Sequence, residues 1–70
     1  MSPQERFGTN VRRLRRDQGL TQEALAHASE LHPTEVSRLE RGVREPRLGT
    51  IVRVAHALGV RPAQLLDKIS

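Results

Sequence analysis

The sequence contains no cysteine, tryptophan or tyrosine, and Phe7 is its only aromatic residue. The lack of cysteine excludes disulfide bonds, thiolate metal sites and cysteine nucleophiles. No apolar run approaches the ~20 residues that a membrane-spanning helix needs, and residues 1–6 lack the apolar stretch of a signal peptide. We therefore expect a protein of a reducing cytoplasm that has no membrane partner.

Catalytic and cofactor motifs are also missing. The sequence has no nucleophile elbow and no phosphate-binding loop, and His27, His32 and His56 do not have the spacing of metal ligands. A chain this short buries only about 60% of the surface that its unfolded form exposes, which leaves little room for an enclosed active site. The sequence therefore predicts one domain over residues 1–70 that is not an enzyme and needs no cofactor, metal or small-molecule substrate.

Arginine, by contrast, is abundant. Twelve basic residues stand against eight acidic ones, and the basic residues are concentrated in two stretches, residues 6–16 and residues 38–47. Such clusters are the electrostatic footprint of a protein that binds a polyanion. Single strands and many RNAs are bound by stacking their bases on aromatic rings, which this sequence lacks. Duplex DNA is therefore the expected polyanion.

Apolar periodicity and helix-boundary residues predict five helices and no strand. The first helix starts with a capping-box signature at residues 2–5 and ends before Gly19. The other four helices are predicted over residues 22–28, 33–41, 48–58 and 62–69. The predicted fold class is all-α, a compact bundle of five short helices.

The second and third predicted helices, with the tight turn between them, have the arrangement of a helix-turn-helix from about Thr21 to Gly42. The runs GLTQEALA (19–26), VSRLERG (36–42) and VAHALGV (54–60), together with Pro46, resemble motifs of the Cro/C1-type, or XRE, family. The resemblance extends from about residue 7 to residue 66. It implies a lambda-repressor-like fold in which a recognition helix at about residues 33–41 enters the major groove.

The sequence departs from the family pattern at two positions near the turn. Glu30 occupies a place where the family usually has glycine, and His32 occupies the place of a small hydroxyl cap. If residue 30 has a positive φ, its side chain costs roughly 1 kcal/mol of strain. Pro33 offsets part of the second departure because it presets the first turn of the helix.

The resemblance implies a base-reading face on the recognition helix. Its candidate residues are Pro33, Thr34, Ser37 and Arg38. Arg38 is the leading candidate because a guanidinium can bond O6 and N7 of guanine together; the alternatives are a phosphate contact or a pair with Glu35. The two hydroxyl side chains could equally bond bases or the sugar-phosphate backbone.

A second group of residues is predicted to contact the DNA backbone or the minor groove. Its members are Gln22, Arg41, Arg44 and Arg47. Gln22 starts the second helix, where free backbone N–H groups attract a phosphate. The alternative is that Gln22 is an ordinary exposed residue and that the three arginines only solvate a loop.

Two further sets are predicted to act within the protein or between its copies. The resemblance implies that Arg15 and Glu40 pair inside the domain, so we assign them a structural role. The final amphipathic segment is predicted to form a dimer interface through Leu65, Leu66 and Ile69. The alternative for this segment is that it only closes the core.

The resulting hypothesis is a sequence-specific transcriptional regulator that binds double-stranded DNA. One recognition helix reads few base pairs, so a homodimer on an inverted-repeat operator is expected, with repression as the simplest outcome. Phage-type repressors, restriction–modification controllers and housekeeping regulators all stay open. The alternative from another class is a DNA-binding antitoxin whose main partner is a toxin protein.

Overall fold

The computed structural model describes residues 1–70 and contains five helices and no strand. The helices span Pro3–Asp17 (α1), Gln22–Ser29 (α2), Pro33–Glu40 (α3), Leu48–Leu58 (α4) and Pro62–Leu65 (α5). The prediction of an all-α, five-helix fold is confirmed. None of these helices has both the length and the apolar character needed to cross a membrane.

Local signals in the sequence account for the ends of α1. The Ser2 hydroxyl accepts from the Glu5 backbone N–H at 3.1 Å, and the Glu5 carboxylate accepts from the Ser2 N–H at 2.8 Å. This reciprocal capping box satisfies two of the free donors at the start of the helix. At the other end, Gly19 has a φ of 69°, a conformation that residues with a Cβ rarely adopt.

The core is built from the inward faces of all five helices. Its ten buried apolar residues are Phe7, Val11, Leu25, Ala26, Val36, Leu39, Val54, Ala55, Leu58 and Leu65. Gly8 lets α1 approach the end of α3, because a Cβ at this position would collide with the carbonyl groups of Leu39 and Glu40. This close approach brings Glu40 against the side of α1.

The last helix is shorter than predicted. It ends at Leu65 after a single turn, and residues 66–68 form a turn, so the expected amphipathic helix up to Ile69 is wrong. The Asn10 side-chain amide donates to the carbonyls of Leu65 and Asp67, both at 2.9 Å. These bonds satisfy carbonyls that a longer helix would have bonded internally, so they favour the observed end.

Candidate nucleic-acid interface

Helix α3 has one buried side and one exposed side. Val36 and Leu39 are each 1% exposed and belong to the core. Pro33, Thr34 and Arg38 are exposed and Ser37 is half-buried. The four residues predicted to read bases therefore lie on the side of α3 that faces away from the core, where a DNA groove could be reached.

The exposed arginines of α3 and of the following loop are not neutralised within the protein. Of the twelve basic Lys and Arg side chains, only Arg12 and Arg15 form ion pairs, and both pair with Glu40. In particular, Arg38 does not pair with Glu35, which removes one alternative for this side chain. Arg38 thus offers an exposed guanidinium group whose N–H donors are free.

The two departures from the family pattern both lie in the turn between α2 and α3, where one strains the backbone and the other caps a helix. Glu30 has φ 59° and ψ 40°, so a residue with a Cβ occupies the left-handed region at a cost of about 1 kcal/mol. The His32 ring replaces the usual hydroxyl cap, since its Nδ1 accepts from the Thr34 backbone N–H at 3.1 Å. An acceptor at Nδ1 requires the ring to carry its proton on Nε2. The first turn of α3 is therefore capped, but by an unusual residue.

The other end of α3 is fixed by a buried carboxylate. Arg15 binds Glu40 with two donors, Nε to Oε2 at 2.5 Å and a terminal nitrogen to Oε1 at 2.9 Å. Arg15 also donates to the Leu20 carbonyl at 2.8 Å. The structure thus brings together the two residues expected to pair, and this fork links α1, the start of the motif and the end of α3.

Two more side chains contact the same carboxylate. The Gln22 amide donates to Glu40 Oε1 at 3.0 Å, and Arg12 Nε lies 3.5 Å from that oxygen. Burial alone would raise the pKa of Glu40, but the bonds from Arg15 and Gln22 and the charges of Arg15 and Arg12 lower it below its ordinary value. The bond to Glu40 correspondingly raises the pKa of Arg15. The Glu40 carboxylate is therefore ionised, and its negative charge is balanced by Arg15 and Arg12.

A polar cleft lies between α3 and the loop that follows it. Arg41, Arg44 and Arg47 are exposed in or next to this loop. The cleft, about 300 Å³ in volume, is lined by Leu31, Glu35, Arg44, Glu45, Pro46, Arg47, Thr50 and Arg53. Arg53 was not selected from the sequence. Its outward position in α4, directly before the buried Val54, was the available signal.

The three residues predicted to form a dimer interface differ in burial. Leu65 is 0% exposed and lies in the core, so its side chain is not available to a partner chain, and its assignment to the interface is corrected. Leu66 is 43% exposed and Ile69 is half-buried. Both line a mainly apolar groove of about 160 Å³ that also contains Phe7 and Ile51.

No group of three His, Cys, Asp or Glu side chains is placed to hold a metal ion. The surface described above presents guanidinium, hydroxyl and amide donors on and around a helix. Such donors match the oxygen acceptors of phosphates and of base edges. With α2 packed across α3, the arrangement defines a helix-turn-helix domain.

Residues 11–65 match the model of the helix-turn-helix family HTH_3. The chain therefore belongs to this family of DNA-binding transcriptional regulators. The resemblance inferred from the runs at residues 19–26, 36–42 and 54–60 is confirmed.

Several individual proteins resemble the chain over most of its length. The chain is 44% identical over 62 residues to the control protein C.BamHI of Bacillus amyloliquefaciens, covering 87% of this chain and 76% of that protein. It resembles the restriction–modification controller protein C.AhdI of Aeromonas hydrophila with a TM-score of 0.87 and 40% identity, covering 89% of this chain and 94% of the other. For the clp gene regulator ClgR of Corynebacterium glutamicum, the TM-score is 0.89 and the identity 38%, covering 94% and 86%.

Proposed function

We propose that the chain represses transcription by binding an inverted-repeat operator in double-stranded DNA as a homodimer, in the cytoplasm where that DNA lies. The observation that carries the proposal is the two-sided character of α3, whose Val36 and Leu39 are locked in the core while Thr34 and Arg38 are exposed. A helix held in this way can enter the major groove with its outer side toward the base edges. Occupation of a promoter by such a protein excludes polymerase from it.

We expect a dimer because one α3 helix contacts too few base pairs to give strong specificity. Two recognition helices related by a two-fold axis would meet half-sites about 34–36 Å apart, one turn of duplex. The apolar groove near Leu66 and Ile69 offers a surface for this contact, and Leu48 on the neighbouring α4 is 77% exposed. We assign the interface to this surface, with Leu66 and Ile69 retained from the sequence prediction.

The comparisons support a more specific role. Both C.BamHI and C.AhdI are described as control or controller proteins, and each covers most of this chain at 40% identity or more. We therefore propose that the chain controls genes of a restriction–modification system. The identity of the operator distinguishes this role from other regulatory roles.

The experiment is selection of binding sites from random duplex DNA with the full chain. We expect enrichment of an inverted repeat whose half-sites are about 10 base pairs apart from centre to centre. We also expect inhibition of transcription in vitro from a promoter that overlaps the selected site, and the presence of that site upstream of restriction or modification genes. Failure to enrich any sequence would contradict the proposal and would direct the search to a protein partner.

A further inference from the structure

One oxygen of the buried Glu40 carboxylate is shared by two side chains that reach the surface. Gln22 Nε2 donates to Oε1 at 3.0 Å, and Arg12 Nε lies 3.5 Å from the same atom. The Glu40 side chain is 0% exposed, whereas that of Arg12 is 41% exposed. The start of α2 and the middle of α1 therefore meet at the surface on a carboxylate that belongs to the end of α3.

Both side chains keep donors that the protein does not use. A primary amide has two N–H bonds and a guanidinium has five. Gln22 makes one side-chain hydrogen bond, and the only polar side-chain contact of Arg12 is its ion pair with Glu40. An external acceptor placed beside Glu40 could therefore bond both residues without breaking a contact inside the protein.

The charge at this place favours an anion as that acceptor. The Glu40 carboxylate faces two guanidinium groups, and the Glu23 carboxylate acts on Arg15 without forming an ion pair, so Arg12 keeps a positive charge that Glu40 only partly balances. Arg15 is the inner partner, with 10% of its side chain exposed and its donors directed to Glu40 and to the Leu20 carbonyl. Arg12 is the outer partner, so its positive charge is presented to solvent.

We propose that Arg12 and Gln22 together bind one phosphate of the DNA backbone, and that Glu40 is the positioning residue that orients both. The first helix of a helix-turn-helix crosses the DNA backbone, and Gln22 is the first residue of that helix here. The inference rests on the proposed DNA-binding function. It adds Arg12 as a DNA contact and gives Glu40 a part in binding beyond the stability of the fold.

The first test compares the affinities of Arg12→Ala and Arg13→Ala for a short mixed-sequence DNA duplex. Binding is measured by fluorescence anisotropy over a series of salt concentrations. Arg13 is the matched control, because it is exposed on the same helix but lines a cleft with Arg61 and Gln64 on the α5 side. Arg12→Ala should weaken binding about tenfold, as for a lost hydrogen bond to a charged group. It should also lower the slope of log Kd against log salt by about 0.9 for each bound protomer.

The second test separates positioning from simple electrostatics. Replacing Glu40 by glutamine removes a negative charge near the phosphate, which by charge alone would strengthen DNA binding. If Glu40 orients Arg12 and Gln22, Glu40→Gln must instead weaken binding and lower the salt slope, at a temperature where circular dichroism shows the variant folded. The Arg12→Lys variant should recover the salt slope, because it restores the charge, while recovering only part of the affinity.

The outcomes distinguish this inference from the proposed function. If the unaltered chain fails to bind duplex DNA, both are wrong. If the chain binds and Arg12→Ala behaves like Arg13→Ala, or if Glu40→Gln binds more tightly, the inference is overturned and the function stands. Should Glu40→Gln not fold, the double variant of Arg12→Ala and Gln22→Ala decides: a loss smaller than the product of the single losses supports one shared phosphate, and independent losses contradict it.

Discussion

The two ends of helix α3 are held in opposite ways. At the C-terminal end, Glu40 is 4% exposed and its carboxylate is bonded by Arg15 and Gln22. At the N-terminal end, Pro33 and Thr34 are exposed, and the side-chain contact is the cap from the His32 ring. One end is anchored and the other protrudes.

This difference shows how a small domain can hold an exposed helix surface in a fixed position. A functional side chain keeps its direction only if the element that carries it is fixed elsewhere. The buried ion pair fixes α3, so the residues at its free end do not need partners of their own. Burial and pairing also differ between two residues of the same type: Arg15 is buried and paired with Glu40, whereas Arg38 is exposed and unpaired.

Removal of the anchor should have the largest effect. We expect Arg15→Ala to lower the free energy of unfolding by about 3–5 kcal/mol, because it leaves the buried Glu40 carboxylate short of its main partner. Thr34→Ala, at the free end, should change it by less than about 0.5 kcal/mol, because this side chain is exposed. Urea or thermal unfolding without DNA measures both. Similar losses for the two variants would show that the ends are not held differently.

Acid should weaken the same anchor, because Glu40 has a pKa below its ordinary value of 4.5. A carboxylate whose pKa is lowered on folding contributes stability above its unfolded pKa, and this contribution is lost as the pH falls through the folded value. The unfolding free energy should therefore fall below about pH 4.5. Glu5, whose pKa is lowered by its bonds to Ser2, acts in the same direction. An NMR titration of the Glu40 side-chain carbon isolates its share, and an unshifted midpoint would contradict the account.

A smaller effect of opposite sign is expected at the turn that precedes the free end. Glu30→Gly should raise the free energy of unfolding by about 1 kcal/mol, since glycine adopts the left-handed conformation without strain. Glu30→Ala is the matched control, because it removes the same charge but keeps the Cβ. Thermal unfolding of the two variants distinguishes them. Equal stabilities would mean that the backbone at residue 30 is not strained.

The sequence predicted best those features that depend on neighbouring residues or on a familiar motif. The capping box at residues 2–5 and the stop at Gly19 are local, so they follow from residue type and spacing. The pairing of Arg15 with Glu40 spans 25 positions, and only the family resemblance indicated it. Placement of Thr34 and Arg38 on the exposed side of α3 was likewise implied by the family resemblance, and the structure places them there.

Features that depend on particular contacts across the fold could not be predicted. The end of α5 is hydrogen-bonded by the Asn10 side chain, whose partners lie 55 and 57 positions away. No periodicity in the sequence indicates such a bond. For the same reason, the buried position of Leu65 and the approach of Arg12 to Glu40 were missed. An amphipathic pattern identifies an apolar side, but it does not tell whether the core or a second chain covers it.

We propose that the exposed side of α3, and Arg38 in particular, reads bases. The most direct measurement is the affinity of the unaltered chain and of Arg38→Ala for the selected operator and for duplexes in which each base pair is replaced in turn. We predict that Arg38→Ala loses about 1–3 kcal/mol of preference for guanine at one position of each half-site and keeps its other preferences. If Arg38→Ala instead weakens binding equally for every sequence, Arg38 contacts a phosphate and does not read a base.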